Sequence, residues 1–242
     1  MERFNTFLTR PHGMILVTGP TGSGKTTTLY AALSKLNKLE HKIITIEDPI
    51  EYQLKGITQM QTAPQIGFDF STALRSMLRH DPDVMLVGEI RDYETAEMAI
   101  RSSLTGHLVF STLHTNDAAG AVTRLTDMGV EPFLIASTMI ASLAQRLVRC
   151  VCAHCADEFK PEAAYFAQLG RTPADAQGAT FRRGRGCDAC RHTGYHGRIA
   201  IYEMLPFSNE IKEMTIRREP STHIKRRAIE LGMRTLRNSG WE

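Results

Sequence analysis

The sequence has no apolar run long enough to cross a membrane. The longest candidate, FLIASTMIASLAQ at residues 133–145, is shorter than the roughly 18 residues that a spanning helix needs, and polar side chains interrupt it. The opening segment MERFNTFLTRPHG also lacks the apolar core of a secretory signal. We therefore expect a protein of the cytoplasm without a direct membrane span.

Aromatic residues and excess charge are also scarce. Aromatics make up 7% of the 242 residues, and the formal net charge is only +3. Two stretches are basic, FRRGRG at residues 181–186 and HIKRR at residues 223–227, but few aromatic side chains lie near them in the sequence to stack on bases. Nucleic acid is therefore disfavoured as a partner.

The five cysteines follow a pattern that favours a metal site over disulfides. A chain without an export signal indicates a reducing compartment, where metal binding is the commoner use of paired cysteines. Cys152 with Cys155 and Cys187 with Cys190 form two C-x-x-C pairs, the ligand set of a structural tetrahedral zinc. The segment between the pairs is longer than in short zinc ribbons, so unrelated free thiols or a redox pair stay open as alternatives. Cys150 has no assigned role.

Four short apolar runs, rich in β-branched residues, alternate with segments of helical period. This alternation predicts an α/β fold with a mostly parallel sheet that helices cover on both faces. The predicted strands are MILVT (14–18), KIITI (42–46), VMLVG (84–88) and LVFST (108–112). Asp92 is the predicted N-cap of one helix, and Gly106 follows its end.

The composition predicts three domains. Residues 1–148 carry the strand and helix alternation and form the nucleotide-binding core. Residues 149–200 are rich in Cys, Gly, Arg and His with little periodicity, which predicts a small tetracysteine zinc-binding module. Residues 201–242 return to helical signals, with a helix that starts near Pro220 and stops at Gly232.

The segment GPTGSGKT follows the first predicted strand and precedes a helix, the context that supports a phosphate-binding loop. Its glycines allow a tight turn whose backbone N–H groups point at phosphate oxygens, and the helix adds its positive N-terminal end. We expect Lys25 to reach the β and γ phosphates and the hydroxyl of Thr26 to bind Mg²⁺. The predicted nucleotide-binding residues are Gly19, Pro20, Thr21, Gly22, Ser23, Gly24, Lys25, Thr26 and Thr27.

Acidic residues follow two further strands. Glu89 lies at the end of VMLVG, where an acid that organises Mg²⁺ belongs, although Gly88 occupies the usual aspartate position. TIEDPIEY carries Glu47, Asp48 and Glu51, which either serve metal and water chemistry or form a solvated acidic turn.

Two histidines bracket the last predicted strand. His107 and His114 cannot face the same side of one straight strand, so they are not a metal pair, and one of them is expected to be structural. His114 follows the carboxyl end of the strand, where ligands of such sheets bind. No convincing guanine-specificity motif is present, so ATP is the expected nucleotide.

The order of these motifs resembles one family. GPTGSGKT, TIEDPIEY, RHDPDVMLVGEIRD and TGHLVFSTLHTND follow one another as in the secretion ATPase superfamily. The chain is most similar to the motors of type II secretion and type IV pilus assembly. With the tetracysteine segment and GYHGRIAIYEML, it looks most like the C-terminal ATPase domain of a GspE-type type II secretion ATPase.

The resemblance implies a RecA-like P-loop ATPase core that uses ATP and Mg²⁺ in a homo-hexamer, peripheral at the inner face of the bacterial inner membrane and docked to platform proteins there. It implies a motor that powers pseudopilus assembly and protein export. The alternatives are a type IV pilus assembly (extension) ATPase and, from another class, a RecA-like nucleic-acid motor.

Roles for individual residues come from the same resemblance. Glu51 would activate the attacking water, Glu89 would organise Mg²⁺, and His114 would sense the γ-phosphate. Arginines expected near a subunit interface, or else on the surface, are Arg75, Arg79 and Arg91. Family members also carry an N-terminal domain and continue beyond the last residues here, so we expect this sequence to be part of a longer protein.

Overall fold

The computed structural model describes residues 2–241. Its strands are β1 (Gly13–Thr18), β2 (Ile43–Glu47), β3 (Thr58–Gln61), β4 (Val84–Val87), β5 (Leu108–Leu113), β6 (Met139–Val151), β7 (Ala156–Glu158), β8 (Arg182–Gly184) and β9 (Tyr195–Pro206). Its α-helices are α1 (Glu2–Phe7), α2 (Lys25–Leu36), α3 (Phe70–Met77), α4 (Tyr93–Leu104), α5 (Gly120–Asp127), α6 (Pro132–Thr138), α7 (Ala163–Gln168), α8 (Asn209–Ile216), α9 (Ser221–Glu230) and α10 (Leu236–Trp241).

The predicted α/β architecture with a mostly parallel sheet is confirmed. Seven strands form one sheet in the order β3-β2-β4-β5-β1-β6-β9, and every pair from β3 to β6 is parallel. The four strands predicted from the sequence are β1, β2, β4 and β5, and each is buried along its whole length. Strands β3, β6 and β9 lie outside the four predicted ones.

Helices cover both faces of the sheet, as continuous apolar strands require. Along β1, Met14 and Leu16 belong to one apolar cluster, which includes residues of α3, α4, α5 and α6. Ile15 and Val17 belong to a second cluster, which includes residues of α1 and α2. None of the helices among residues 2–241 is long and apolar enough to cross a bilayer.

Helix ends follow the local signals read from the sequence. The Asp92 carboxylate accepts the N–H of Thr95 at 2.8 Å and caps α4, which ends just before Gly106 at φ 108°. Helix α9 begins after Pro220 and stops ahead of Gly232 at φ 90°.

The described residues form two compact units. The first consists of the chain up to Arg146 together with Tyr202–Leu236, and contains the phosphate loop and the acidic strand ends. The second consists of Leu147–Ile201 and the residues from Arg237 onward. In the second unit β7 pairs with β8 in antiparallel fashion, and the rings of Phe166, Phe181 and Trp241 contact one another. The functional division into three domains stays a prediction.

Candidate functional site

The loop between β1 and α2 has a backbone that only glycine accommodates at its first position. Gly19 has φ 146°, and a Cβ there would lie 2.5 Å from the carbonyl oxygen of Gln145 and 2.7 Å from Ser23 Oγ. The hydroxyl of Ser23 is buried and has no hydrogen-bond partner within the described part of the chain. A tight loop with an unpartnered inward hydroxyl fits a polyanion such as a phosphate chain.

Lys25, the first residue of α2, folds back over this loop. Its Nζ donates to the carbonyl oxygens of Gly19 at 2.8 Å and Pro20 at 3.1 Å. Burial lowers the pKa of Lys25, the charge of Glu89 acts in the opposite direction, and the charge of Arg146 lowers it further. The ammonium therefore lies within electrostatic range of the carboxylate of Glu89, which follows β4, and of the guanidinium of Arg146 on β6. Thr26 and Thr27 follow in the first turn, Thr26 half-buried and Thr27 exposed.

Glu89 is the centre of the acidic part of the site. It follows β4, and its side chain is only 15% exposed. Its carboxylate forms an ion pair with Arg91 and lies 3.3 Å from Nε2 of His114, which follows β5. The carboxyl ends of three adjacent strands thus bring Lys25, Glu89 and His114 together, as parallel topology predicts.

Gly88 stands at the position where an aspartate was expected, and the structure supplies a reason. The N–H of Gly88 donates to the carbonyl oxygen of Ile46 on β2 at 2.8 Å. A Cβ at this position would lie 3.2 Å from the same oxygen and 3.5 Å from the ring of Phe70. The close approach of β2 favours glycine, which leaves Glu89 as the acid of this strand end.

The second histidine has a different environment. Nδ1 of His107 lies 2.8 Å from the carbonyl oxygen of Ser102, in the last turn of α4. His107 therefore fastens a helix end to the amino end of β5, the structural role expected for one of the two histidines.

The three predicted arginines differ in their contacts. Arg75 forms an ion pair with Glu94, while Arg79 is exposed. The hydrogen bond to Glu89 raises the pKa of Arg91, against a smaller opposing effect of burial. The structure thus brings Arg91 to the candidate site, and it brings Arg75 to the start of α4.

The acidic segment that begins at the last residue of β2 contains one buried and two exposed carboxylates. Glu47 is 4% exposed, and its carboxylate accepts hydrogen bonds from Tyr30, Thr45 and Gln59. Asp48 and Glu51 are exposed. A carboxylate with three internal donors is committed to the fold, so the candidate reactive acid of this segment is an exposed one.

Two adjacent residues at this site were not predicted. Gln145, on β6, is 2% exposed; its Nε2 donates to the carbonyl oxygen of Ser23 at 2.7 Å, and its Oε1 accepts the hydroxyl of Thr28 at 2.7 Å. Arg146 donates to Asn116 Oδ1 at 3.1 Å. Strand β6 pairs with β1 beside the phosphate loop, and the sequence carries no local signal of that pairing.

The loop after His114 is tied to the C-terminal part of the same unit. Lys225 of α9 lies 2.8 Å from Asp117 Oδ2 and 3.3 Å from Glu203 Oε2. The Glu203 side chain is 1% exposed, and its Oε1 accepts the N–H of Ala118 at 3.0 Å. Burial works to lower the pKa of Lys225, but the two carboxylates outweigh it and raise the pKa. The contacts of Lys225 and Glu203 with Asp117 and Ala118 therefore fix the position of the loop that follows β5.

A cavity of about 330 Å³ runs along one face of α2, from Thr27 in the first turn to Lys35 in the last. It is bounded by Thr27 and Ala31 of the helix, by Phe4 and Leu8 of the N-terminal segment, and by Tyr202 of β9. It therefore offers a mainly apolar wall next to the phosphate loop.

The second unit contains the four paired cysteines as one cluster. The ligand sulfurs of Cys152, Cys155, Cys187 and Cys190 all lie within 4.8 Å of one another. The sulfur–sulfur distance is 3.9 Å between Cys152 and Cys187, 3.9 Å between Cys155 and Cys190, and 3.8 Å between Cys187 and Cys190. Four sulfurs at about 2.3 Å from a tetrahedral zinc would be about 3.8 Å apart, so the donor set fits zinc and not a disulfide.

Hydrogen bonds prepare one of these thiols for ionisation. Burial alone opposes ionisation of Cys190, but the backbone N–H groups of Cys187 and Gly194 donate to its Sγ at 3.2 and 3.3 Å and lower its pKa. Burial raises the pKa of Cys155. The two N–H donors thus favour the thiolate form of Cys190, which is the form that binds a divalent cation.

Comparison with known proteins relates the chain to secretion and pilus ATPases. It is 50% identical over 239 residues to the type IV pilus assembly ATPase PilB of Thermus thermophilus, covering 99% of this chain and 27% of that protein. It is 55% identical over 205 residues to the type II secretion system protein E of Pseudomonas aeruginosa, covering 85% of this chain and 40% of that protein. The chain thus spans less than half the length of either relative.

A solved structure and a family model relate the chain to the same group of proteins. The crystal structure of the pilus retraction motor PilT with bound ADP superposes with a TM-score of 0.68 at 28% identity, covering 99% of this chain and 63% of that one. The model of the family described as type II/IV secretion system protein matches residues 1–242. Since that match covers the whole sequence, the chain belongs to the type II/IV secretion system protein family.

Proposed function

We propose that this chain is the ATP-hydrolysing motor domain of a type II secretion system, which powers pseudopilus assembly and protein export. The observation that carries the proposal is the convergence of Lys25, Glu89 and His114 at one edge of the sheet, beside a glycine-dependent phosphate loop. The 55% identity to a type II secretion system protein E supports the choice of system.

In the proposed reaction, water attacks the γ-phosphorus of ATP, the bond to the β–γ bridging oxygen breaks, and ADP and phosphate leave. Lys25 and the backbone N–H groups that follow Pro20 in the loop neutralise the β and γ phosphates as charge shifts to the leaving oxygen. The exposed carboxylate of Glu51 orients the water and accepts its proton. His114 contacts the γ-phosphate and reports its release through Glu89.

The residues present also fit Mg²⁺, whose chemistry here is to neutralise phosphate charge. A hard cation of this kind takes oxygen ligands, and the half-buried hydroxyl of Thr26 and the carboxylate of Glu89 supply them. The ion pair between Glu89 and Arg91 holds that carboxylate in place.

We assign the base to adenine and its site to the cavity next to Thr27. The mainly apolar lining by Phe4, Leu8, Ala31 and Tyr202 suits a flat purine ring. We assign zinc to the four cysteines as a closed structural site, because four thiolates leave no open coordination position for water.

We propose that the protein works as a homo-hexamer, peripheral at the inner face of the bacterial inner membrane and docked to platform proteins of that membrane. Exposed Arg79 is the best-placed of the three arginines to reach a neighbouring subunit, since Arg75 and Arg91 already pair within the chain. Residues 1–148, 149–200 and 201–242 would serve as nucleotide core, zinc module and C-terminal helical segment.

Assembly of type IV pili is the second candidate function. It is supported by the 50% identity to a type IV pilus assembly ATPase over 99% of this chain. Complementation distinguishes the two systems. The full-length gene should restore export in a strain that lacks its type II secretion ATPase. Restoration of pili in a strain that lacks its pilus assembly ATPase, without restoration of export in the first strain, would favour the second candidate.

The nucleic-acid motor is disfavoured because most cations of the two basic stretches form ion pairs with acidic side chains. In HIKRR, Lys225 is bound by two carboxylates and Arg227 pairs with Glu210 and Glu230. In FRRGRG, Arg182 and Arg185 also pair with acidic side chains. Few of these cations are left to neutralise phosphates of a nucleic acid.

Phosphate release from MgATP by the full-length protein tests the proposed function. Glu51→Gln should lower turnover by at least about 100-fold with ATP affinity preserved, since only the proton acceptor changes. Glu40→Gln is the matched control, an exposed carboxylate at the opposite end of the sheet, and should hydrolyse ATP as the wild type does. Equal turnover in the Glu51 variant would refute the assignment of this residue.

A further inference from the structure

The loop that carries Glu51 connects β2 to β3, and its backbone is fixed by side chains on either side. The N–H of Ile50 donates to Gln61 Oε1 at 3.2 Å, and that of Leu54 donates to Gln59 Oε1 at 2.6 Å. Nε2 of Gln59 also donates to the carbonyl oxygen of Tyr52 at 3.2 Å. The backbone is thus held at positions on both sides of Glu51 while the carboxylate itself is exposed.

Tyr30 supplies the contact at Glu51 itself. It lies on α2 and is 1% exposed. Its hydroxyl donates to the buried carboxylate of Glu47, accepts a hydrogen bond from Nε2 of Gln59 at 3.3 Å and lies near the backbone of Glu51. Its ring also meets the ring of Tyr52 edge to face, with centroids 4.7 Å apart and planes at 81°. One side chain therefore contacts the residue before the loop, Glu47, the residue that follows Glu51, Tyr52, and the glutamine that fixes the loop backbone, Gln59.

Tyr30 lies on the same helix as Lys25, the lysine proposed to bind the phosphates. Helix α2 begins with Lys25, which faces the phosphate loop, and Tyr30 lies little more than one turn further along the same helix. A helix is rigid over such a distance, so the phosphate-binding lysine and the anchor of Glu51 keep a fixed separation.

We propose that Tyr30 is a positioning residue that holds the backbone of Glu51 at a set distance from the bound phosphates, with Glu47 orienting its hydroxyl and Gln59 fixing the rest of the loop. The inference rests on the proposed function, because it assigns Glu51 to the attacking water. It predicts that loss of one hydroxyl, remote from the nucleotide, impairs turnover and not nucleotide binding.

The chain offers a matched control for this claim. Thr45, on β2, also donates to the Glu47 carboxylate, at 2.6 Å, and is also fully buried. It reaches the other carboxylate oxygen and, within residues 2–241, its hydroxyl makes no hydrogen bond to the loop. Thr45→Val and Tyr30→Phe therefore each remove one hydroxyl donor from the same carboxylate, but only the second releases Glu51.

The test compares steady-state MgATP hydrolysis by the full-length wild type, Tyr30→Phe and Thr45→Val, with thermal unfolding of each. Tyr30→Phe should lower kcat roughly 10- to 100-fold, the range expected when a reacting group shifts by about 1 Å, with nucleotide affinity close to the wild type. Thr45→Val should lower the unfolding temperature comparably and leave kcat near that of the wild type. Equal losses of kcat in both variants, or none in Tyr30→Phe, would overturn the inference.

A second comparison shows whether Tyr30 acts through Glu51. In a Glu51→Gln background, Tyr30→Phe should produce little further loss, because the group that it positions is already disabled; multiplicative losses would count against the inference. If Tyr30→Phe does not fold, Gln59→Met replaces it, since it releases Tyr52 and Leu54 and should give the same kcat effect.

These outcomes are distinguishable from failure of the proposed function. If Glu51→Gln keeps full turnover, the proposed role of Glu51 is wrong whatever Tyr30 does. If Glu51→Gln abolishes turnover and Tyr30→Phe matches the wild type, the proposed function stands and the positioning role alone is refuted.

Discussion

Replacing Gln145 by leucine isolates the contact between β6 and the phosphate loop. The wild-type amide makes two buried hydrogen bonds, to the carbonyl oxygen of Ser23 and from the hydroxyl of Thr28, each 2.7 Å long. Leucine has a similar size but no polar atoms, so the change leaves both partner groups buried without the amide. Each unsatisfied buried group costs about 1–3 kcal/mol, which gives about 2–6 kcal/mol for the two.

Part of that loss is recovered by the apolar side chain. Burying the added hydrocarbon of leucine contributes about 1–2 kcal/mol, so the midpoints of the two ranges give a net loss of about 2.5 kcal/mol in the free energy of unfolding. The predicted phosphate loop should also lose its fixed shape, because Ser23 lies within it. Nucleotide affinity is therefore expected to fall together with stability, as binding must now order the loop.

Urea unfolding and titration with a fluorescent ATP analogue measure the two effects. Ser142→Ala is the control, because Ser142 lies on the same strand with a buried hydroxyl that has no hydrogen-bond partner among residues 2–241. The control should stay within about 1 kcal/mol of the wild type and bind the analogue normally. Thr28→Val combined with Gln145→Leu should lose less than the sum of the two changes. A Gln145→Leu protein with wild-type stability and affinity would refute the reasoning.

Two further outcomes are expected. Lys25→Ala should abolish ATP binding measured by calorimetry, whereas Lys38→Ala, which removes an exposed lysine just beyond the end of the same helix, should not; retained affinity in the first variant would contradict the phosphate-loop assignment. The wild type should contain about one zinc per chain by elemental analysis, and this metal should be lost in Cys152→Ser with Cys187→Ser but kept in Cys150→Ser; a stably folded, metal-free wild type would contradict the zinc assignment.

Much of the fold could be predicted because its signals are local. The four strands predicted from the sequence, β1, β2, β4 and β5, are apolar runs buried along their whole length, and a parallel sheet brings their carboxyl ends to one edge. The proximity of Lys25, Glu89 and His114 follows from that rule and from strand order. The cysteine cluster follows from the repeated C-x-x-C spacing.

The contacts that sequence reasoning missed are long-range and chemically ordinary. Gln145 contacts residues more than 100 positions away, and nothing in its neighbourhood distinguishes it from other polar residues of a strand. Glu47 and Glu51 look alike in TIEDPIEY, and only the positions of Tyr30 and Gln59 separate the buried acid from the exposed one. Such distinctions depend on packing partners, which composition and periodicity do not encode.

The bridge formed by Lys225 with Asp117 and Glu203 has a consequence for shortened forms of the protein. The proposed catalytic motifs all precede residue 120, so a recombinant chain that stops soon after β9 looks sufficient from the motifs alone. Such a chain would keep the buried Glu203 carboxylate and lose the lysine that neutralises it, as well as the N–H of Leu236 that also donates to it. Buried charge without a partner is strongly destabilising. The smallest soluble version of this domain is therefore set by α9 and the residues up to Leu236, and not by the last nucleotide-binding motif.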